Sequence, residues 1–152
     1  MDRDAQRSDV QPKRPEGRRL SHYLPSVARI LMGVLFLVTG LNGFLRFLPE
    51  PSTMPQGAAA FGAALMNTGY MFPLIMGSQT IVGVLLLGNR FVPLALVLIA
   101  PVVVNIIGFH VFLAPAGIGP GLVARVLEIY LVWAYRNSYR SMLAPRAMLG
   151  TT

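Results

Sequence analysis

The sequence predicts an all-α integral membrane protein, a bundle of four transmembrane helices with a short interfacial helix between the first and second spans. Three observations predict this fold class. Of the 152 residues, 54% are hydrophobic and 12% are charged, whereas an ordinary soluble domain has roughly 25% charged residues. The mean hydropathy is +0.58. The apolar residues are also gathered into four long runs, which short polar or glycine- and proline-containing segments separate.

Each apolar run is long enough to cross a bilayer. A hydrocarbon core about 30 Å thick needs roughly 20 helical residues, and a segment in lipid must pair its own backbone groups, which favours helix over other structures. The predicted membrane domain covers residues 27–140, with spans at about 28–47, 70–87, 91–113 and 118–135. Residues 1–26 are predicted as a basic, disordered cytoplasmic tail, and residues 141–152 as a second cytoplasmic tail.

The connection between the first two spans is too long for a plain turn. Its first part carries Pro49, Pro51 and Pro55, which no helix could traverse. Its second part, residues 56–67, is rich in alanine and prone to form a helix. This pattern predicts a short helix that lies at the outer interface or caps the bundle.

The basic residues indicate how the spans are oriented. Eleven of the 13 Lys and Arg residues fall on one side of alternating spans, and Arg46 alone falls at the margin of the other. Cytoplasmic loops carry the excess of Lys and Arg, so both termini are predicted to be cytoplasmic. Seven of the 13 lie before residue 30, which leaves no continuous basic face and predicts no nucleic-acid partner.

Residue types exclude several kinds of chemistry. The chain has no cysteine, which excludes a disulfide scaffold, thiol catalysis and Cys-ligated metal clusters. The two histidines lie far apart, at His22 and His110, which disfavours haem ligation or another metal site. No catalytic set is recognisable, so whether the protein is an enzyme stays open.

Arg125 and Glu128 are the costliest residues in the fourth span. Its eight Leu, Ile and Val residues contribute roughly −3.5 kcal/mol to insertion, and each charge near the centre costs about 2.5–3.5 kcal/mol. The spacing of three places both side chains on one helix face, where they can pair. We expect them to face the bundle interior and interact, either as a structural ion pair or as part of a ligand site.

Other polar side chains also interrupt the spans. The candidate ligand-binding residues are Asn42, Gln79, Asn105, Arg125, Glu128 and His110. On ideal helices these groups lie near the midplane or in the outer half, and the inner half is expected to be apolar. This segregation favours a pocket that opens outward, with residues 56–67 near its mouth. Interhelical hydrogen bonding is the alternative role for the asparagines, and a histidine near the outer interface is ordinary.

Two geometric expectations concern the same helices. Pro101 should kink the third span beside Asn105. His110 lies about 140° round that helix from Asn105, so the two should not line one narrow stripe. Glycines in the spans are expected to be close-packing positions between helices. They are Gly33, Gly40, Gly43, Gly77, Gly83 and Gly108.

Several strings, taken in order, resemble the DoxX-like family of small bacterial membrane proteins. They are ARILMG at 28–33, TGLNGF at 39–44, GNRFVPLA at 88–95, APVVVN at 100–105 continuing to His110, and LE at 127–128 followed by WAYR at 133–136. The resemblance spans residues 27–140. It implies a four-helix bundle in the bacterial cytoplasmic membrane and an association with quinone-linked redox systems. Relatives often have glutamate where this chain has Gln79.

Three function classes remain open at this point. The first is a redox-associated membrane subunit that binds a quinone or a similar apolar molecule and requires a partner oxidoreductase, with no covalently bound cofactor. The second is a non-catalytic anchor or assembly protein for such a partner, in which the polar residues only fix helix packing. A small transporter is the third, disfavoured because inverted-repeat punctuation is missing. Besides the lipid bilayer, a second copy of the chain is a candidate partner.

Overall fold

Five α-helices make up the protein. The computed structural model describes residues 17–49 and 53–139, so the predicted tail segments 1–16 and 141–152 lie outside the described residues. The helices are α1 (Gly17–Leu45), α2 (Gln56–Asn67), α3 (Met71–Leu87), α4 (Val92–Phe112) and α5 (Ile118–Ala134). Short 3₁₀ turns follow α4 and α5, at Pro115–Gly117 and Arg136–Tyr139. No strand occurs among the described residues, which confirms the all-α class.

Helices α1, α3, α4 and α5 pack in a closed cycle, in which α1 contacts α3 and α5, and α4 contacts the same two helices. The end that holds the start of α1, the α3–α4 turn and the end of α5 is here called the terminal end. The opposite end, where α2 lies, is called the distal end. The hydroxyl of Tyr139 donates to the Pro93 carbonyl over 3.2 Å and thereby joins the end of α5 to the start of α4.

A seam of glycines brings α1 and α3 together as antiparallel neighbours. A Cβ at Gly40 would lie 2.6 Å from the Thr80 backbone nitrogen, and one at Gly83 would lie 2.6 Å from the Leu37 nitrogen. Contacts this short with backbone atoms leave no room for any side chain. Small residues let two helix backbones approach closely in a membrane, and these glycines do so here.

The expectation about the six glycines holds for four of them. Gly33 and Gly43 face the side chains of Leu87 and Met76 across the same seam. At Gly77 and Gly108, by contrast, a Cβ would meet no other described atom within 4 Å. The expectation is wrong at these two positions because they lie on helix faces with no close neighbour.

Most of the fully buried apolar side chains lie towards the terminal end. The largest are Phe36, Met32, Leu86, Leu96, Ile99, Leu131, Val82 and Val103. Large apolar residues such as Ile81, Val97 and Val126 are instead exposed on the outer faces of the helices. An apolar core surrounded by an apolar exterior is the arrangement expected where lipid replaces water as the surrounding solvent.

Three stretches are long and apolar enough to cross a membrane: Tyr23–Leu45, Val92–Phe112 and Pro115–Ala134. The remaining candidate is the pair α2 and α3, which bend by 92° at a short break and count as a span only when taken together. The protein therefore has the helices of a multi-pass membrane protein, with three spans or up to four. Helix α2 occupies the predicted residues 56–67.

One expectation about a helix boundary needs correction. Helix α1 begins at Gly17, so residues 17–26 of the predicted disordered tail are helical. Extending an existing helix costs far less than starting one, and Pro25 lies within α1 without ending it. Pro101 lies within α4, which runs on to Phe112, and the kink expected there stays a prediction.

Candidate functional site

Three adjoining cavities occupy the distal end of the bundle, with volumes of about 510, 310 and 240 Å³. The side chain of Met76 lines all three. We call them the α1-side, central and α5-side cavities in that order, and together the distal chamber. Helices α1, α3, α4 and α5 supply the walls, and α2 lies over the first two cavities. A chamber therefore lies where the sequence predicted a pocket, beside residues 56–67.

Four of the six predicted ligand-binding residues line this chamber. Gln79 and His110 each line both the central and the α5-side cavity. Asn105 lines the central cavity, and Asn42 lines the α1-side cavity. The rest of the central wall is largely apolar and includes Phe61, Leu65, Phe72, Ile75 and Phe109.

Gln79 is buried, and it is held by a residue that the sequence analysis missed. The oxygens Thr39 Oγ1 and Gln79 Oε1 lie 2.7 Å apart, which joins α1 to α3. Thr39 Oγ1 also lies 2.9 Å from the Leu35 carbonyl of its own helix. Thr39 stands three residues before Asn42, on the same face of α1, and this shared face is the sequence signal that could have singled it out.

The amide nitrogen of Gln79 is the part that remains for a ligand. It has no hydrogen-bond partner among the described residues, yet it is not among the enclosed polar atoms without a partner. Since Gln79 lines two cavities, this nitrogen is open to the chamber. The side chain thus uses one end for packing and offers the other.

His110 is fixed by the loop that follows α4. Its Nδ1 lies 3.0 Å from the Ala114 carbonyl oxygen, and its ring stands edge-on to Phe109, with 5.2 Å between ring centroids. A Cβ at Gly117 would lie 2.7 Å from the ring, so glycine at that position makes room for the imidazole. The ring is therefore held in one orientation at the junction of two cavities.

Asn42 has a role at the end of α1. Its Oδ1 accepts a hydrogen bond of 2.7 Å from the Leu48 backbone nitrogen. Between them Arg46 adopts a left-handed backbone with φ of 49°, which turns the chain out of the helix. The side-chain oxygen of Asn42 thus stabilises this turn. It does not join two helices, as the alternative interpretation expected.

Asn105 and His110 share the central cavity. The expectation that they could not lie along one narrow stripe overlooked the width of the cavity, whose wall includes a broad part of α4. Asn105 is exposed and has no hydrogen-bond partner among the described residues. Its side chain is therefore available to the chamber.

Arg125 and Glu128 form the predicted ion pair, with 2.9 Å between Arg125 Nη1 and Glu128 Oε2. Glu128 is buried, whereas 42% of the Arg125 side chain is exposed, so the prediction that both face the interior holds for Glu128 only. Neither residue lines the chamber. Glu128 lies one turn beyond Ala124, which lines the α5-side cavity.

The buried end of Glu128 has an open hydrogen-bonding position. Its Oε1 is enclosed and has no partner among the described residues. Towards the terminal end, burial raises the pKa of the Tyr139 phenol, and the negative charge of Glu128 adds to the effect. The carboxylate is thus compensated on one oxygen only, by Arg125.

Arg29 is a buried polar residue that the sequence analysis counted only among the seven basic residues before residue 30. Its guanidinium donates to the carbonyls of Leu86 and Leu87, which end α3. A cation at a helix C-terminus satisfies carbonyls that lack helical donors. The expectation of a purely apolar inner half is therefore wrong. Arg29 stands four residues before Gly33, on the face of the glycine seam, and this position was the available signal.

In the part of the chain that the structure describes, no three His, Asp or Glu side chains come together. Comparison with protein-family models, curated proteins and solved structures finds no match to this chain. The likeness to the DoxX-like family thus rests on the sequence strings alone.

Proposed function

We propose that this protein binds a small, largely apolar molecule with a polar end in its distal chamber, within a membrane that it crosses four times. One observation carries the proposal: Gln79 and His110 lie at the junction of two cavities, and each has a hydrogen-bonding atom that no described residue occupies. A few placed polar groups in an apolar cavity orient a ligand and give specificity.

We further propose that the ligand is a quinone or a molecule of that class. A flat apolar ring with oxygen substituents suits walls of Phe61, Phe72 and Phe109 beside two hydrogen-bonding side chains. The resemblance to the DoxX-like family favours the same class. With no cysteine and two histidines in the chain, electrons would have to come from a partner oxidoreductase.

The proposed location is the bacterial cytoplasmic membrane with both termini in the cytoplasm. The eleven-to-one division of basic residues supports this orientation. The chain has no cysteine of its own, so Ser8→Cys provides a single labelling site. It should resist a membrane-impermeant thiol reagent in intact cells and react after lysis. Labelling in intact cells would reverse the orientation.

Direct binding tests the ligand proposal. The full-length protein in lipid nanodiscs is titrated with a short-chain ubiquinone, and empty nanodiscs measure partition into lipid. The wild type should bind above this background, and Gln79→Leu should weaken binding about five- to tenfold, the effect of one hydrogen bond.

Ser78→Ala is the matched control. Ser78 is adjacent on α3, but its hydroxyl donates to the Ile75 carbonyl of its own helix over 2.8 Å, and it does not line the chamber. This variant should bind as the wild type does. Equal binding by wild type and Gln79→Leu would show that the ligand does not use the chamber.

A non-catalytic anchor or assembly protein is the second candidate function. It is favoured by the bonds that Asn42 Oδ1 and Gln79 Oε1 already make within the protein. Mass spectrometry of the protein purified in mild detergent separates the two candidates. A stoichiometric small molecule supports ligand binding, whereas a partner protein without a small molecule supports the anchor.

A further inference from the structure

The polar groups of the chamber differ in the hydrogen bonds that they offer. We infer that the ligand carries a hydroxyl group and that His110 selects it, because the imidazole Nε2 accepts a hydrogen bond from that hydroxyl. For the quinone class this means the reduced, hydroquinone form. The inference rests on the proposed function, because it names the chemistry of the ligand in the same chamber.

The tautomer of His110 follows from its neighbour. The Ala114 carbonyl can only accept a hydrogen bond, so the imidazole Nδ1, 3.0 Å away, must carry the proton and donate it. A neutral imidazole has one protonated nitrogen. With the proton on Nδ1, Nε2 has a lone pair and is a hydrogen-bond acceptor.

Nε2 is also free to meet a ligand. It has no partner among the described residues, and it is not one of their enclosed polar atoms. Because His110 lines the central and the α5-side cavities, its accessible nitrogen serves the junction between them. The hydrogen bond of Nδ1 to the Ala114 carbonyl and the edge-on contact with Phe109 keep the ring from turning away.

Gln79 lines the same two cavities and complements this acceptor with a donor. When the Thr39 hydroxyl donates to Gln79 Oε1 over 2.7 Å, the amide Nε2 of Gln79 is left as a donor. A hydroxyl group both donates and accepts. A hydroxyl ligand in these cavities can therefore donate to His110, and its oxygen can accept from a donor such as Gln79.

A carbonyl or ether oxygen matches only half of this arrangement. It can accept from Gln79, but it has no proton for His110, and its lone pairs would face the lone pair of Nε2. An acceptor left without a donor in a desolvated site weakens binding. The chamber should therefore bind a ligand with a hydroxyl group more tightly than a ligand with a carbonyl or ether oxygen, even when the two have similar size and shape.

Two fluorescent probes isolate that proton. 2-Naphthol and 2-methoxynaphthalene share a ring system and an oxygen, but only the first can donate. Equilibrium dialysis against the full-length protein in phosphatidylcholine nanodiscs, corrected with empty nanodiscs, gives both dissociation constants. The wild type should bind 2-naphthol about tenfold more tightly.

His110→Asn removes the acceptor and keeps the anchor. The asparagine amide nitrogen takes the place of Nδ1 and can donate to the Ala114 carbonyl, but nothing replaces Nε2. The preference should fall to within about twofold, although any steric effect of the methyl group persists. Circular dichroism and thermal unfolding confirm that the variant is folded.

The wild type alone can overturn the inference, so it does not depend on the variant folding. Similar affinities for both probes would mean that the chamber binds apolar rings without selecting a hydroxyl, and the proposed function would stand. A full preference retained in His110→Asn would assign the selection to another residue. Binding of neither probe would instead count against the proposed function itself.

Discussion

The terminal and distal halves of the bundle are built from the same helices but packed in opposite ways. At the terminal half, Met32, Leu86, Leu96 and Ile99 are fully buried in the interior, and Arg29 covers the end of α3. At the distal half the same helices leave three cavities, lined by the unpaired sides of polar residues. Helix α2 covers that half from outside.

This difference indicates a division of labour along each helix. Close packing carries the stability of a membrane protein, since lipid supplies no hydrophobic force between helices. A closely packed half can therefore stabilise a half that keeps cavities. Substitutions in the terminal half should change stability, and those in the distal half should change binding.

The largest effect is expected at the glycine seam. In Gly83→Ala the new Cβ would lie 2.6 Å from the Leu37 backbone nitrogen, and backbone cannot rotate away as a side chain can. Helices α1 and α3 must separate, which should lower the free energy of unfolding by about 3 kcal/mol, the upper part of the usual range for overpacking. Unfolding in a denaturing detergent measures it.

Gly77→Ala is the control on the same helix. No other described atom lies within 4 Å of its Cβ position, and alanine favours helix by up to about 1 kcal/mol over glycine. This variant should be as stable as the wild type or slightly more stable. Equal losses at the two positions would show that the seam is not special.

The next effect concerns the ion pair. Arg125→Leu leaves the Glu128 carboxylate buried without its cation, which should cost about 2 kcal/mol, below the range for fully buried pairs because the arginine is partly exposed. Changing both residues to leucine should cost less than Arg125→Leu alone. A double-mutant cycle on unfolding free energies measures the coupling, and a value near zero would refute the pairing.

A smaller loss is expected from Arg29→Met. Methionine keeps much of the apolar length but leaves the carbonyls of Leu86 and Leu87 without a charged donor. The stability should fall by about 1.5 kcal/mol, as for the loss of a hydrogen bond to a charged group. Ligand binding at the distal chamber should be unchanged, and a binding defect in this folded variant would contradict the division between halves.

The smallest effect on stability is expected for Asn105→Leu. Asn105 is exposed to the central cavity and has no partner among the described residues, so its removal should change the unfolding free energy by less than about 0.5 kcal/mol. The free energy of binding the short-chain ubiquinone should change by more than the free energy of unfolding does. A large loss of stability would make Asn105 part of the packing after all.

Elements with strong local signals could be predicted from the sequence. Pro55 before it and Gly69 after it delimit α2, which begins and ends where predicted. The pairing of Arg125 with Glu128 follows from their spacing of three. Both depend on neighbours within about one helical turn.

The rest depends on which faces of different helices meet. In the sequence Arg29 looks like one more of the basic residues near the N-terminus. Only the packing of α1 on α3 shows that it is buried against α3. Gly77 and Gly83 have the same character in the sequence, but only Gly83 meets α1. A cavity is empty space between helices, so no residue pattern encodes the chamber around Met76 directly.

The bend between α2 and α3 affects how a ligand reaches the chamber. Helix α3 has 17 residues and α4 has 21, so at about 1.5 Å per residue α3 is about 6 Å shorter. Helix α3 ends and helix α4 begins at the turn between them. The distal end of α3 therefore lies about 6 Å short of the distal end of α4. There the chain bends by 92° into α2. On ideal helices, the edge of the chamber beside α2 therefore lies deeper in the bundle than the distal end of α4. We expect a ligand to enter sideways from the bilayer, so that its rate of entry depends on its concentration in lipid and not on its concentration in water.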